Sequence, residues 1–150
     1  FEAHVLNNHA LTKLFVDGMK ADNYGRIINI ISTSVKQPLA NLGVSNTIRA
    51  AVANWAKTMA NELGGYGITV NNVLPGATET ERLKNIIKAK VEKTGASEEQ
   101  VRAEMLSEIP MRRFGKAEEI AAAVAFLATP AAGYINGINV PVDGGRTGSL

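Results

Sequence analysis

The stretch GVSNTIRAAVANWAKTMANELGGYGITVNNVLPGATET, Gly43 to Thr80, decides the fold. Ile48, Val52, Trp55 and Met59 are spaced four, three and four, a helical stripe. Ala53, Ala56 and Ala60 follow on a neighbouring face, small enough to let another backbone come close. The glycines of Gly64–Gly67 stop the helix, as glycine commonly does. Ile68–Gly76 then reads as a strand buried on both faces that runs into a Pro–Gly turn. A long helix feeding a buried strand is the repeating unit of an α/β protein with parallel strands.

The same alternation extends outward. Upstream, RIINIIS (Arg26–Ser32) is a short isoleucine-rich run, a second buried strand. Before it, Val5, Leu6, Leu11, Leu14, Phe15 and Met19 fall near one helical face, and Gly25 is read as the stop. Thr33–Gly43 is loop. Downstream, residues 78–109 are polar, charged and helical in pattern, in two parts split at Lys93–Ser97. Ser97, followed by Glu99 and Gln100, is read as a helix N-terminus. Gly115–Pro130 is a further amphipathic helix, and Ile138–Val142 a third strand. Three parallel strands joined through helices are expected, with the first strand an open edge.

Bulk properties narrow the classes. The chain has 150 residues, 45% hydrophobic and 20% charged, with a net charge of +2; this is the composition of a globular domain rather than a disordered one. Basic residues are scattered, and their densest cluster, MRRFGK, is short, so no nucleic-acid footprint is expected. There is no cysteine, which removes disulfides, thiol nucleophiles and thiolate zinc sites. The longest apolar run, Ile120–Ala128, falls well short of the ~18 residues of a membrane span. A cytoplasmic protein is expected. The first residues fall within a helical pattern and include no initiator Met, so a fragment of a longer protein is expected.

Taken together, GRIINIIS, the helix at its offset, GITVNNVLPGATET, IPMRRFGKAEEI and GINVPVDGG resemble the C-terminal half of a short-chain dehydrogenase/reductase. The resemblance covers essentially the whole chain. It implies a Rossmann-like, doubly wound parallel sheet, of which the last three strands lie here. Residues 1–150 would form the C-terminal part of one dinucleotide-binding domain, with a helical substrate lid over about 78–109. The Gly-rich loop that cradles the pyrophosphate would lie upstream. The cofactor implied is NAD or NADP, the substrate a small molecule with a carbonyl/alcohol pair, and the assembly a homodimer or homotetramer. The helices beside the first strand would form much of the dimer contact, with the Ala53, Ala56 and Ala60 stripe compatible with that role.

The family works with Asn, Ser, Tyr and Lys. The tyrosine is the acid/base, and a nearby lysine brings its pKa of ~10 towards neutrality. Carried over position by position, the Ser position is Ser32 and the Tyr position, 13 residues on, is Ser45. The Lys position, four further, is Arg49, and the Asn position is His4. Only Ser32 matches. Arg49 keeps a charge and donors for a ribose contact. A serine hydroxyl needs a separate base, and His4 carries the imidazole of this set, the side-chain type suited to that role. Each also has a structural use: Ser45 as a helix N-cap, Arg49 in an ion pair, His4 in a core or interface, Ser32 as a cap on the loop. In the family the segment after the second of these strands touches the nicotinamide carboxamide, which here makes Pro75, Gly76, Ala77, Thr78 and Thr80 the cofactor contacts. Tyr24, Tyr66 and Tyr134 sit in turns or near the last strand and are not taken as the acid. Two alternatives accompany an oxidoreductase with altered residues: a non-catalytic relative that binds a dinucleotide or a partner, and a halohydrin-dehalogenase-like lyase, a class that uses Ser, Tyr and Arg on this fold.

Overall fold

The computed structural model describes residues 1–149. A single π-helical turn, Glu2–Leu6, leads into α1 (Asn7–Ala21). Then come β1 (Gly25–Ile30), α2 (Gly43–Leu63), β2 (Ile68–Pro75), α3 (Glu81–Thr94), α4 (Glu98–Ser107), α5 (Ala117–Ala128) and β3 (Asn139–Val142). The strands pair in parallel in the order β1-β2-β3. Ile27 lies opposite Val70, and Val73 opposite Val140. The parallel pairing is the one expected from the alternation of helices and strands, and the fold is the Rossmann-like α/β arrangement that the resemblance implies.

β2 is the centre of the core, and every residue of it except Pro75 is buried. Its side chains alternate between two faces. Ile68 and Val70 meet Ala56, Ala60 and Leu63 of α2, and Leu74 meets Val52 and Ala53. Val73 faces the other way, onto Ile120 and Leu127 of α5. Each such aliphatic side chain taken out of water contributes about 1.5–3 kcal/mol, which is why both faces of a parallel strand must be covered.

Packing corrects three expectations. The alanine stripe faces this chain's own sheet: Ala56 is 0% exposed and Ala60 2%, so the small side chains let α2 approach β2 and are not an intersubunit surface. Of the expected apolar face of the first helix, Val5 and Met19 pack on the core, while Leu6, Leu11, Leu14 and Phe15 are exposed, Leu14 at 75% and Phe15 at 60%. The face that packs on the core carries Val5, Val16 and Met19, with Asn8 between them. Gly25 is not the helix stop. Helix α1 ends at Ala21, Asn23 takes φ 49°, and Gly25 is already the first residue of β1.

Asparagines inside the sheet have a clear account. Buried amides cost free energy unless bonded, and these are bonded in series across all three strands. Asn8 Nδ2 donates to Asn29 Oδ1 (3.2 Å), Asn29 Nδ2 to Asn72 Oδ1 (2.9 Å), and Asn72 Nδ2 to Asn139 Oδ1 (2.8 Å). Asn71 turns to the other face, donating to the Ile135 carbonyl and accepting from the Ile138 N–H. The ladder fixes the register that the apolar residues alone leave free.

Candidate functional site

The carboxyl ends of β1 and β2 open into a cleft of about 720 Å³ between α2, α3 and α5. Its floor and walls include Ile31, Leu83, Ile86, Ile120 and Val124. This is where open α/β sheets bind ligands. A second cleft of about 690 Å³ adjoins it over the start of α2. Leu42, Ser45, Arg49 and Arg82 line both.

All nine residues singled out from the sequence meet here. Ser32, Ser45, Arg49, Pro75, Gly76, Ala77, Thr78 and Thr80 line the first cleft. His4 lines the second, with Ser45 and Arg49. The backbone explains the convergence. Ser32 follows β1 in extended conformation, and its Oγ accepts from the Ser34 N–H at 3.1 Å; the hydroxyl proton is then left to donate elsewhere. Ser45 and Arg49 are one helical turn apart on α2 and so share a face. Ser45 is not the N-cap: the helix begins at Gly43, Leu42 is the capping position, and no side chain caps it.

The wall after β2 is built more tightly. Thr78 Oγ1 donates to the Gly76 carbonyl at 3.1 Å, and Thr80 caps α3 by accepting from the Leu83 N–H at 3.4 Å. A Cβ on Gly76 would lie 2.7 Å from both Cα and Cβ of Asp143, so only glycine fits. The segment Arg113–Lys116 clamps the turn from outside: the Gly115 N–H donates to the Ala77 carbonyl at 2.9 Å, and the Glu79 N–H to the Gly115 carbonyl at 2.8 Å. Arg113 in turn forks onto Glu119 at 2.7 and 2.6 Å. The guanidinium, with the Lys116 N–H, holds the Glu119 carboxyl down to about 2. Burial pushes the Asp143 carboxyl up, but donors from Thr147, Gly145 and Arg146 outweigh it, and the net position is below the usual carboxylate range.

Three residues that sequence reasoning missed also line the first cleft. Ser34 Oγ and Asn46 Oδ1 are buried there without a hydrogen-bond partner, and Ser34 is only 4% exposed. Buried orphans of this kind are uncommon and mark a place where a ligand atom or water completes the set. Nothing in the local sequence distinguishes them. Arg82 is the third, and it had a signal: a cation in the first turn of a helix, where acids are favoured. The tyrosines are at the wrong end. Tyr24 and Tyr66 precede β1 and β2 at their amino ends, and Tyr24 Oη donates to the Ala128 carbonyl. Tyr134 is fully exposed. Among the described residues no phenol lines either cleft, and no group of three or more His, Cys, Asp or Glu is placed to hold a metal.

The family model described as enoyl-(acyl carrier protein) reductase matches residues 2–147. The NADPH-dependent reductase BacG of Bacillus subtilis is 38% identical over 88% of this chain and 51% of its own length. The 3-oxoacyl-[acyl-carrier-protein] reductase FabG of Vibrio cholerae is 37% identical over 96% of this chain and 54% of its own length. The crystal structure of YwfH, an NADPH dependent reductase involved in bacilysin biosynthesis, superposes with a TM-score of 0.90 at 34% identity, covering 97% of this chain and 56% of that one. The chain thus spans about half the length of the relatives it matches. With the motifs, the parallel sheet and the cleft at its carboxyl end in agreement, the chain belongs to the short-chain dehydrogenase/reductase family.

Proposed function

We propose that this chain carries the catalytic half of an NAD(P)-dependent oxidoreductase acting on the carbonyl/alcohol pair of a small molecule, with non-standard catalytic residues. The observation that carries the reading is the convergence of Ser32, Ser45, Arg49 and His4 on two adjoining clefts beside the Pro75–Thr80 turn. The pocket fits a nicotinamide: its floor is apolar, and Ser34 Oγ and Asn46 Oδ1 offer unmet hydrogen-bonding capacity inside it. NADPH-dependent relatives support the cofactor class. A bound nicotinamide supplies or takes up the hydride. Arg49 donates to ribose hydroxyls, Ser32 donates to the substrate oxygen, and Ala77, Thr78 and Thr80 orient the carboxamide. Ser45 binds substrate or water without serving as the acid. His4, open to the second cleft, exchanges the proton with solvent or through water. The α3–α4 pair, which has its own core of Leu83, Ile87, Val101 and Ile109, forms the lid. The enzyme works in the cytoplasm as a homodimer or homotetramer.

The missing phenol favours a second reading, a relative that binds the dinucleotide without turnover. Titrating NADH and NADPH onto the full-length parent protein, followed by energy transfer from Trp55, tests both. Saturable binding supports a cofactor site. Absence of binding up to millimolar cofactor rejects both. Oxidation of the cofactor by a panel of ketones, aldehydes and oxo acids then separates catalysis from mere binding.

A further inference from the structure

Arg49 and Arg82 reach the same two clefts from different helices, α2 and α3. Neither guanidinium has a carboxylate partner among the described residues. Among the described residues no acidic side chain lines either cleft. The two acids nearest Arg82 in sequence are turned elsewhere: Glu79 and Glu81 line a separate groove with Lys84 and Arg102, and Glu81 is paired with Lys84 at 2.6 Å. Two like charges in one cleft repel each other, and Arg82 also opposes the dipole of the helix it begins. Neither cost brings a structural return, since the Arg82 side chain is exposed and bonds to none of the described residues. The start of α2 adds to the same field: Gly43, Val44 and Ser45 line the second cleft, and no side chain caps their N–H groups.

We propose that Arg82, in the positive field it shares with Arg49 across the cleft, receives an anionic group of the substrate, a carboxylate, and so selects acids over their neutral analogues. This rests on the oxidoreductase reading for the word substrate, but the anion site stands on its own geometry. The apolar floor takes the hydrocarbon part and Arg82 takes the charge, while Arg49 keeps its ribose contact and adds to the positive field. A planar guanidinium suits a carboxylate because it donates two parallel N–H bonds.

The test is calorimetric titration of the full-length protein with benzoate and with benzamide, which share shape and differ in charge, with and without saturating NADPH. Benzoate is expected to bind about tenfold more tightly, the usual worth of a hydrogen bond to a charged group. Arg82→Gln is expected to remove most of that preference and Arg82→Lys to restore part of it, with the NADPH dissociation constant changed less than about twofold. Equal binding of the two probes, or a preference that survives Arg82→Gln, overturns the proposal. So does a result in which Arg82→Gln weakens NADPH instead of benzoate, because the anion is then the cofactor's phosphate. A benzoate preference in a protein that binds no NADPH keeps the anion site and rejects the oxidoreductase reading. NADPH binding without that preference does the reverse.

Discussion

The two walls of the cleft are made differently. The wall after β2 is fixed by backbone: a glycine pressed on Asp143, a threonine cap, and a clamp from Gly115. The wall formed by the end of β1 and the start of α2 is tied by side-chain bonds, Ser34 N–H to Ser32 Oγ and Asn46 Nδ2 to the Leu39 carbonyl, but Ser45 and Arg49, which carry its chemistry, bear little of the packing. On the tight wall Pro75, Gly76 and Thr80 keep the residues of the family resemblance; on the other wall Ser32 keeps its residue while Ser45 and Arg49 depart. A position whose side chain faces a cleft can change chemistry at small cost in stability, while one whose Cβ has no room cannot.

The largest expected effect sharpens the contrast on the α2 wall. Ser45→Tyr combined with Arg49→Lys restores the phenol and exchanges the guanidinium for the family's lysine on a helix already in place. It is expected to raise NADPH-dependent reduction of ethyl acetoacetate about 100-fold, the lower end of what a positioned acid contributes. No gain there would show that the helix places these residues differently from the family's active members.

Gly76→Ala attacks the other wall. The added methyl meets the Asp143 backbone, which cannot yield as a flexible side chain does. A loss of about 2–3 kcal/mol in denaturant unfolding is expected. A loss below about 0.5 kcal/mol would mean the turn is softer than its contacts imply.

Arg49→Gln breaks the comparison from the opposite direction. It is expected to leave stability within about 0.5 kcal/mol, as for surface changes. At the same time NADPH affinity falls about tenfold through loss of charge-assisted ribose contacts. Equal losses in both measurements would make Arg49 a structural residue.

The smallest effect concerns the outer clamp. Glu119 is held near 2 when folded and returns to about 4.3 when unfolded. Its folded value is depressed, so its contribution is fully present above the unfolded value. It is lost as pH falls from about 4.3 to 2. The pair is exposed, so the change is small. Titration of the Glu119 carboxyl by NMR should show the low value, and Arg113→Gln should bring it back towards 4.3.

Much of this was legible in the sequence. Helix α2 ends at the glycines that punctuate the sequence, although it starts at Gly43 and not behind a Ser45 cap. Ser97 and Gln100 form the capping box their spacing announces, and all the residues taken as site candidates meet at one end of the sheet. These features depend on period, punctuation and order along the chain, which are local. What required the tertiary structure was the identity of the neighbours. Ala53, Ala56 and Ala60 carry the same spacing whether they face a second subunit or β2, and only the packed sheet decides between them. Leu11, Leu14 and Phe15 satisfy a helical period yet lie outside, because α1 and the turn before it meet the core through Val5, Asn8, Val16 and Met19. The buried asparagines look like interruptions in a strand until Asn29, Asn72 and Asn139 align in register. Ser34, Asn46 and Arg82 gain their meaning from missing partners, and the absence of a partner is a property of three-dimensional surroundings alone.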